Sequence, residues 1–157
     1  MPSWLKRSLL ILLVLAAASQ LIRPARTNPP LNPQREIHAT LPVDSVASGV
    51  ISRACNDCHS SRTVWPWYSH VAPSSWLVVS DVNRGRKAMN FSDWSSYSAE
   101  AQQKHLTKLC KEVTEGEMPG LPYTLLHPEA RLTSADRAAL CSLSNATGQK
   151  PAVAEID

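Results

Sequence analysis

The run Cys55-Asn-Asp-Cys-His59 limits what this chain can fold into more than any other feature. Residues three apart lie on one face of a helix, so the thiols of Cys55 and Cys58 can reach the two vinyl groups on one porphyrin edge. The imidazole of His59 can then bind the iron. With four Cys and five His in 157 residues, chance gives about 0.003 runs of the type C-x-x-C-H. The motif predicts one covalently attached haem c.

Two other uses of the cysteine pair are weighed against haem. A thioredoxin-like redox pair should follow a strand of a βαβ unit, and no strand-like pattern precedes Cys55. A zinc site needs another nitrogen or sulfur ligand, which Cys110 or Cys141 could supply. Neither of these cysteines belongs to a second C-x-x-C, so haem is favoured over both alternatives.

The N-terminus predicts export from the cytoplasm. Lys6 and Arg7 precede an apolar stretch over residues 8–22, in which Ala16–Ala18 resembles a cleavage site. A helix over 8–22 covers about 22 Å, less than the bilayer core of about 30 Å, but a helix from Trp4 is long enough. Residues 1–23 are therefore predicted to be a signal-anchor transmembrane helix, with a cleaved signal peptide as the alternative.

Composition divides the rest of the chain into three parts. Five prolines over residues 24–42 predict an extended Pro-rich linker that holds a domain away from the membrane. Residues 43–144 are predicted to form the haem-binding domain, and residues 145–157 a disordered tail. The net charge of +3 comes from scattered basic residues, which argues against a nucleic-acid partner.

Helical patterns dominate the predicted domain. Apolar residues fall on one helical face from 43 to 54, directly before Cys55. A second amphipathic stretch, residues 99–115, ends at Gly116, and a third follows a capping box at Thr133 and Asp136. No useful strand-like alternation occurs. The fold class is predicted to be all-α, a domain that resembles cytochrome c after an N-terminal transmembrane or signal helix.

Met118 is the preferred candidate for the second axial ligand. It lies in a proline-stiffened loop, 116–122, after the second helix, where a thioether could reach the distal face of the iron. Ligation by His and Met leaves no vacant position and suits electron transfer. Other candidates are Met89, His70, His105 and His127, and a vacant or water-bound iron also remains open.

Several further side chains have possible roles around the porphyrin. The guanidinium groups of Arg62, Arg84 and Arg86 could pair with haem propionates, or be ordinary solvated charges. Five aromatic residues are expected to supply the aromatic core and wall the porphyrin: Trp65, Trp67, Tyr68, Trp76 and Trp94. In an oxidising compartment Cys110 and Cys141 could form a disulfide, worth about 3–4 kcal/mol, or be two small buried apolar residues.

Two runs of unusual sequence, Trp65–Ser69 and Leu126–Ala130, lie beside the C-x-x-C-H motif and Gly116–Pro119. With these runs the chain resembles the haem-binding-domain family of small bacterial mono-haem c-type cytochromes, over about residues 26–143. The resemblance implies haem binding, an N-terminal membrane segment, a Pro-rich spacer and a periplasm-facing domain. It implies no substrate.

These features predict an electron-transfer protein at the periplasmic face of the bacterial inner membrane, without enzymatic activity and with an unidentified redox partner protein. A soluble periplasmic protein is the alternative location. The alternative functions are a haem enzyme, such as a peroxidase or gas-reactive protein, or a sensor, each with an open sixth position.

Overall fold

The protein is represented by a computed structural model, which describes residues 2–145, and this range is all-helical with no strand. The predicted all-α class is confirmed. Apart from Asn145, the predicted tail lies outside the described residues. The helices are α1 (Ser3–Ser19), α2 (Ile37–Thr40), α3 (Ser45–Ala54), α4 (Asn56–His59), α5 (Ser74–Ala88), α6 (Ala99–Glu115), α7 (Leu121–Leu126) and α8 (Ser134–Ser142). Short 3₁₀ turns cover Pro33–Arg35, Trp67–His70, Phe91–Ser96, Pro128–Ala130 and Leu143–Asn145.

Helix α3 begins at the cap provided by Asp44, whose carboxylate accepts the N–H groups of Val46 and Ala47 at 2.8 and 2.9 Å. Its predicted apolar face is buried at Ala47, Val50, Ile51 and Ala54. Val46 is the exception, since 54% of it is exposed. Because α3 ends immediately before Cys55, its packing fixes the position of the C-x-x-C-H motif.

The core lies where α3 and α6 pack against α8, with the turn Phe91–Ser96 filling one side. Trp94 is fully buried and stacks on Phe91 with ring centroids 6.0 Å apart. Leu106 of α6 and Leu140 of α8 are also fully buried. Large apolar side chains from distant parts of the chain therefore meet around one tryptophan.

Two local signals at helix ends act as predicted. Helix α6 ends at Gly116, whose φ of 77° is the left-handed conformation that favours glycine. Helix α8 begins with a capping box, in which Thr133 and Asp136 each bond the other's backbone N–H. A disulfide joins Cys110 of α6 to Cys141 of α8, with Cα atoms 4.6 Å apart. The two packed helices are therefore also linked covalently.

The Pro-rich segment differs from the expected spacer because it packs on the domain. Ile37 and Leu41 are only 1% and 3% exposed and belong to the core. Glu36 pairs with Arg62 at 2.7 Å, and the carboxylate of Asp93 receives the guanidinium of Arg35. The folded unit thus begins before residue 43, because Ile37 at the start of α2 and Leu41 directly after α2 give this segment two apolar side chains to bury.

Helix α1 has 17 residues, of which none is buried. Within residues 2–145, no helix is both long and apolar enough to cross a membrane. The expected transmembrane helix is therefore not supported.

Candidate functional site

The C-x-x-C-H motif forms a tight turn between α3 and α5. The helix breaks at Cys55, with φ of −124° and ψ of −35°, and α4 restarts at Asn56. The carbonyl of Cys55 accepts the N–H groups of Cys58 and His59 at 3.2 and 2.9 Å. These two bonds to one carbonyl hold the three predicted attachment residues, Cys55, Cys58 and His59, in a single turn. Cys55 and Cys58 are free thiols, whereas the other two cysteines are bonded to each other.

Gly85 allows α5 to pack directly on the backbone of this turn. A Cβ at position 85 would overlap the carbonyl oxygen of Cys58 and would crowd its carbonyl carbon. A backbone approach this close requires glycine. Sequence reasoning found no role for Gly85, because nothing local shows that another backbone passes there.

His59 is oriented by the backbone at the end of α5. Its Nδ1 lies 3.1 Å from the carbonyl oxygen of Met89, and its ring lies beside Phe91 with centroids 6.3 Å apart. Burial lowers the pKa of His59, and the carbonyls of Met89 and Gly85 oppose that effect. A histidine whose Nδ1–H donates to a carbonyl presents the lone pair of Nε2, as metal-binding histidines do.

Burial keeps both motif cysteines in the thiol form. It raises the pKa of Cys55 to about 12, with a smaller contribution from Cys58. It raises the pKa of Cys58 to about 11, with Asp57 and Asp81 adding to the effect. Thioredoxin-like motifs lower a cysteine pKa instead, so these thiols do not resemble a redox pair. Cys110 and Cys141, which a zinc site would have needed, are bonded to each other.

A cavity of about 330 Å³ lies beside Cys58. Its walls are mainly apolar and come from the segment after the motif, from α5 and from α7, among them Val64, Val78 and Leu126. Pockets that bind small molecules are typically lined by apolar side chains, and their volumes start at about 300 Å³. The buried indole N–H of Trp65, next to two lining residues, has no hydrogen-bond partner within residues 2–145. Of the three motif residues only Cys58 lines the cavity, and Cys55 and His59 lie outside its lining. Its apolar walls suit the face of a porphyrin attached at Cys58.

Two tyrosines bring polar groups to the cavity. Tyr68 Oη lies 2.7 Å from Nε2 of His127, whose Nδ1 lies 3.1 Å from Glu129. Tyr123 donates to the carboxylate of Asp57 at 2.8 Å and stacks on His127 with centroids 4.3 Å apart. Burial raises the pKa of both phenols, most strongly for Tyr123, so they stay protonated at neutral pH.

Sequence reasoning missed Asp57 and Tyr123. Asp57 lies inside the motif but at a position whose identity the motif leaves free, and its partner is 66 residues away. Such a pairing leaves no local sequence signal. His127 was considered only as an iron ligand, whereas its two ring nitrogens lie against Tyr68 and Glu129.

The structure does not bring Met118 to the cavity beside Cys58. Met118 is 47% exposed and lines a separate cavity of about 160 Å³, with Arg131, Arg137 and neighbouring residues of its own loop. Its assignment as the distal ligand stays a prediction. Among the alternatives, Met89 packs against the core, His105 lies against Trp94 and Tyr97, and His70 is exposed.

The three arginines that could pair with haem propionates form hydrogen bonds or ion pairs with other residues of the chain. Arg86 donates to Ser60 O, Thr27 O, Asn28 Oδ1 and Thr63 Oγ1, each at 2.8 Å, and so clamps the Pro-rich segment onto the domain. Arg62 pairs with Glu36, and Arg84 pairs with Asp81.

Two of the five aromatic residues expected in the core lie at the surface, and their place beside a porphyrin stays a prediction. Trp67 and Trp76 are 78% and 38% exposed, whereas Trp94 and Phe91 lie in the core. Counting aromatic residues identifies candidates for a core, but it cannot show which of them face outward.

Comparison with known proteins agrees with the motif. A family model described as a haem-binding domain matches residues 14–146, a range that includes the motif, the Pro-rich segment and part of α1. The predicted resemblance to such a family is therefore confirmed. No curated protein and no solved structure gives a significant match.

Proposed function

The chain belongs to the haem-binding domain family, and from this premise we propose that it carries one covalently attached haem c. Cys55 and Cys58 would form the thioether bonds, and Nε2 of His59 would bind the iron. The observation that supports this most directly is the motif's turn, in which two free thiols adjoin an imidazole already held through Nδ1. The haem supplies a one-electron redox couple.

Electron transfer is the function proposed for this haem. With Met118 as the second axial ligand the iron would have no vacant position, and electrons would be exchanged with a partner protein still to be identified. Because Met118 now lies in a separate cavity, this ligation requires the loop 116–120 to take another position when haem is bound. We further propose that the haem-loaded domain resembles cytochrome c in arrangement.

An open sixth position is the second candidate, and one observation favours it. The cavity beside Cys58 is lined by the phenols of Tyr68 and Tyr123 and not by Met118. Without a thioether, the sixth position would be free for water, a gas or a peroxide, as in a haem enzyme or a sensor.

Location at the periplasmic face of the bacterial inner membrane is also a proposal. Lys6 and Arg7, near the start of α1 and before its apolar stretch, support it, because this order is typical of export signals. The bond between Cys110 and Cys141 supports it as well, because structural disulfides persist in oxidising compartments. A soluble periplasmic form after cleavage of the signal is the alternative.

Covalent attachment is tested by producing the full chain in a host that attaches haem and then extracting the protein with acidified acetone. We expect the red colour to stay with the polypeptide and the pyridine haemochrome spectrum to be that of a haem with two thioethers. Cys55→Ser with Cys58→Ser should lose the attached haem, whereas Cys110→Ser with Cys141→Ser should keep it. Colour that is extracted from the wild type refutes covalent attachment.

The second ligand is tested separately by absorption spectra of Met118→Ala and the matched variant Met89→Ala. A Met118 ligand predicts a low-spin wild type that becomes high-spin only in Met118→Ala. A wild type that is already high-spin, and unchanged in Met118→Ala, supports the open site and refutes Met118 ligation.

A further inference from the structure

Helix α1 presents apolar surface that the domain does not cover. Each residue from Leu9 to Leu15 is at least 50% exposed, and no residue of the helix is buried. Apolar surface left in water costs about 25 cal/mol per Å². Such a helix needs an apolar partner.

Direct hydrogen bonds attach the C-terminal end of α1 to the domain. The side chain of Gln20, directly after the helix, forms a reciprocal pair with the backbone of Ala72, with bonds of 3.1 and 3.0 Å. The indole N–H of Trp76 donates to the carbonyl of Ile22 at 2.8 Å. Whatever covers α1 must therefore also meet the surface of the domain around Ala72.

That surface is itself apolar. Trp76 and Leu77 lie in the first turn of α5, where Trp76 contacts the residues after α1, and the exposed Leu77 also lines the cavity next to Cys58. We call this surface the apolar collar and define it by six exposed side chains: Val64 (74%), Trp67 (78%), Val71 (45%), Trp76 (38%), Leu77 (63%) and Leu126 (60%).

We propose that the apolar collar lies on the lipid bilayer that receives α1, so that the cavity beside Cys58 opens at the lipid surface. This inference rests on the membrane location proposed above and specifies which face of the domain meets the membrane. It reverses the expectation that a spacer holds the domain away from the bilayer.

The length of α1 and the residues at its end favour a lipid surface over other partners. The 17 residues of α1 extend about 25 Å, somewhat less than the bilayer core of about 30 Å. Because the side chain of Gln20 bonds the end of α1 directly to Ala72, insertion of α1 into the bilayer would bring the domain into contact with the lipid headgroups. There Trp67 and Trp76 have the amphipathic rings that are enriched at membrane interfaces, and the exposed Arg23 can meet lipid phosphates.

The test uses the full-length haem protein in nanodiscs of phosphatidylcholine and phosphatidylglycerol that contain a phospholipid with a diazirine on its acyl chain. After illumination, mass spectrometry locates the lipid adducts. We expect adducts on α1 and on peptides that contain Trp67, Leu77 and Leu126. Val46 is the matched control, since it is 54% exposed but lies on α3, outside the apolar collar, and its peptide should carry none.

Adducts on α1 alone overturn the proposal, and so do cross-links between two copies through the apolar collar, which would assign this surface to a dimer. Trp67→Ser with Leu77→Ser should lower the yield of collar adducts at least threefold and leave those on α1 unchanged. Val46→Ser should change neither yield.

Failure of the haem proposal is distinguishable from failure of this one. The chain with Cys55→Ser and Cys58→Ser has no thiols for attachment, and its collar should be labelled as in the wild type. A wild-type chain that carries no covalent haem and still gives collar adducts refutes only covalent attachment. A haem-loaded chain without collar adducts refutes only the orientation on the membrane.

Discussion

Replacement of Gly85 by alanine tests how closely α5 packs on the C-x-x-C-H turn. The new Cβ would overlap the carbonyl oxygen of Cys58, an atom that cannot rotate away because it belongs to the backbone of α4. Relief therefore requires α5 or the motif itself to move. Gly49 of α3 is the matched control, because a Cβ there meets nothing within 4 Å.

The two substitutions should have opposite effects on stability. Alanine is favoured over glycine inside a helix by about 0.8–1.0 kcal/mol, and this gain applies at both positions. At Gly85 it is opposed by overpacking, which costs about 1–3 kcal/mol and more where backbone must shift. Gly49→Ala should raise the free energy of unfolding by about 0.5–1 kcal/mol. The clash at Gly85 is with backbone, so the upper half of the overpacking range applies, and Gly85→Ala should lower the free energy of unfolding by about 1–2 kcal/mol.

Thermal unfolding followed by circular dichroism measures both changes. A change of 1 kcal/mol moves the Tm by about 4 °C in a chain of this size, so the two variants should differ by at least about 6 °C. Gly85→Ala should also lower the fraction of chains that carry haem, because a displaced Cys58 no longer sits at a fixed distance from Cys55. If Gly85→Ala is as stable as Gly49→Ala, the close approach deduced from the structure is refuted.

Three further predictions concern stability. Cys110→Ala with Cys141→Ala should lower the free energy of unfolding in urea by about 3–4 kcal/mol, and a reductant that destabilises the wild type should leave the double variant unaffected. Tyr123→Phe keeps the ring on His127 but removes a donor to the carboxylate of Asp57, at a cost of about 1–2 kcal/mol; an unchanged urea midpoint would argue against that bond. The N–H of Thr133, followed by its hydroxyl and Arg53, holds the pKa of Asp136 below its usual value of 3.8. The wild type should therefore lose stability as the pH falls below about 4, whereas Asp136→Asn should show a smaller loss, and equal acid sensitivity would contradict this assignment.

The structural features that were predicted well are local ones. The bounds of α6 follow from its amphipathic period and from Gly116, and the start of α8 follows from Thr133 and Asp136, three residues apart. Each signal lies within one or two helical turns, so tertiary contacts are not needed to interpret it. The turn that holds Cys55, Cys58 and His59 is predictable for the same reason, because all three residues lie within one helical turn.

The features that were missed depend on distant partners. Ile37 lies in a segment rich in proline, and its burial results from packing against residues of the turn at Phe91 and Trp94. The small number of aromatic residues predicts Trp67 in the core, but its exposure depends on how the turn at 67–70 packs on α5. Composition gives the number of apolar and aromatic residues, but only the tertiary structure decides which of them find a partner.

The structure also shows how one chain can keep two thiols free while two others are bonded. Cys110 and Cys141 lie on α6 and α8, which pack side by side, so their bond forms between surfaces that meet in any case. Cys55 and Cys58 are neighbours on one turn, and burial holds their pKa at about 12 and 11. Since the thiolate is the species that attacks a disulfide, folding suppresses exchange between the two pairs.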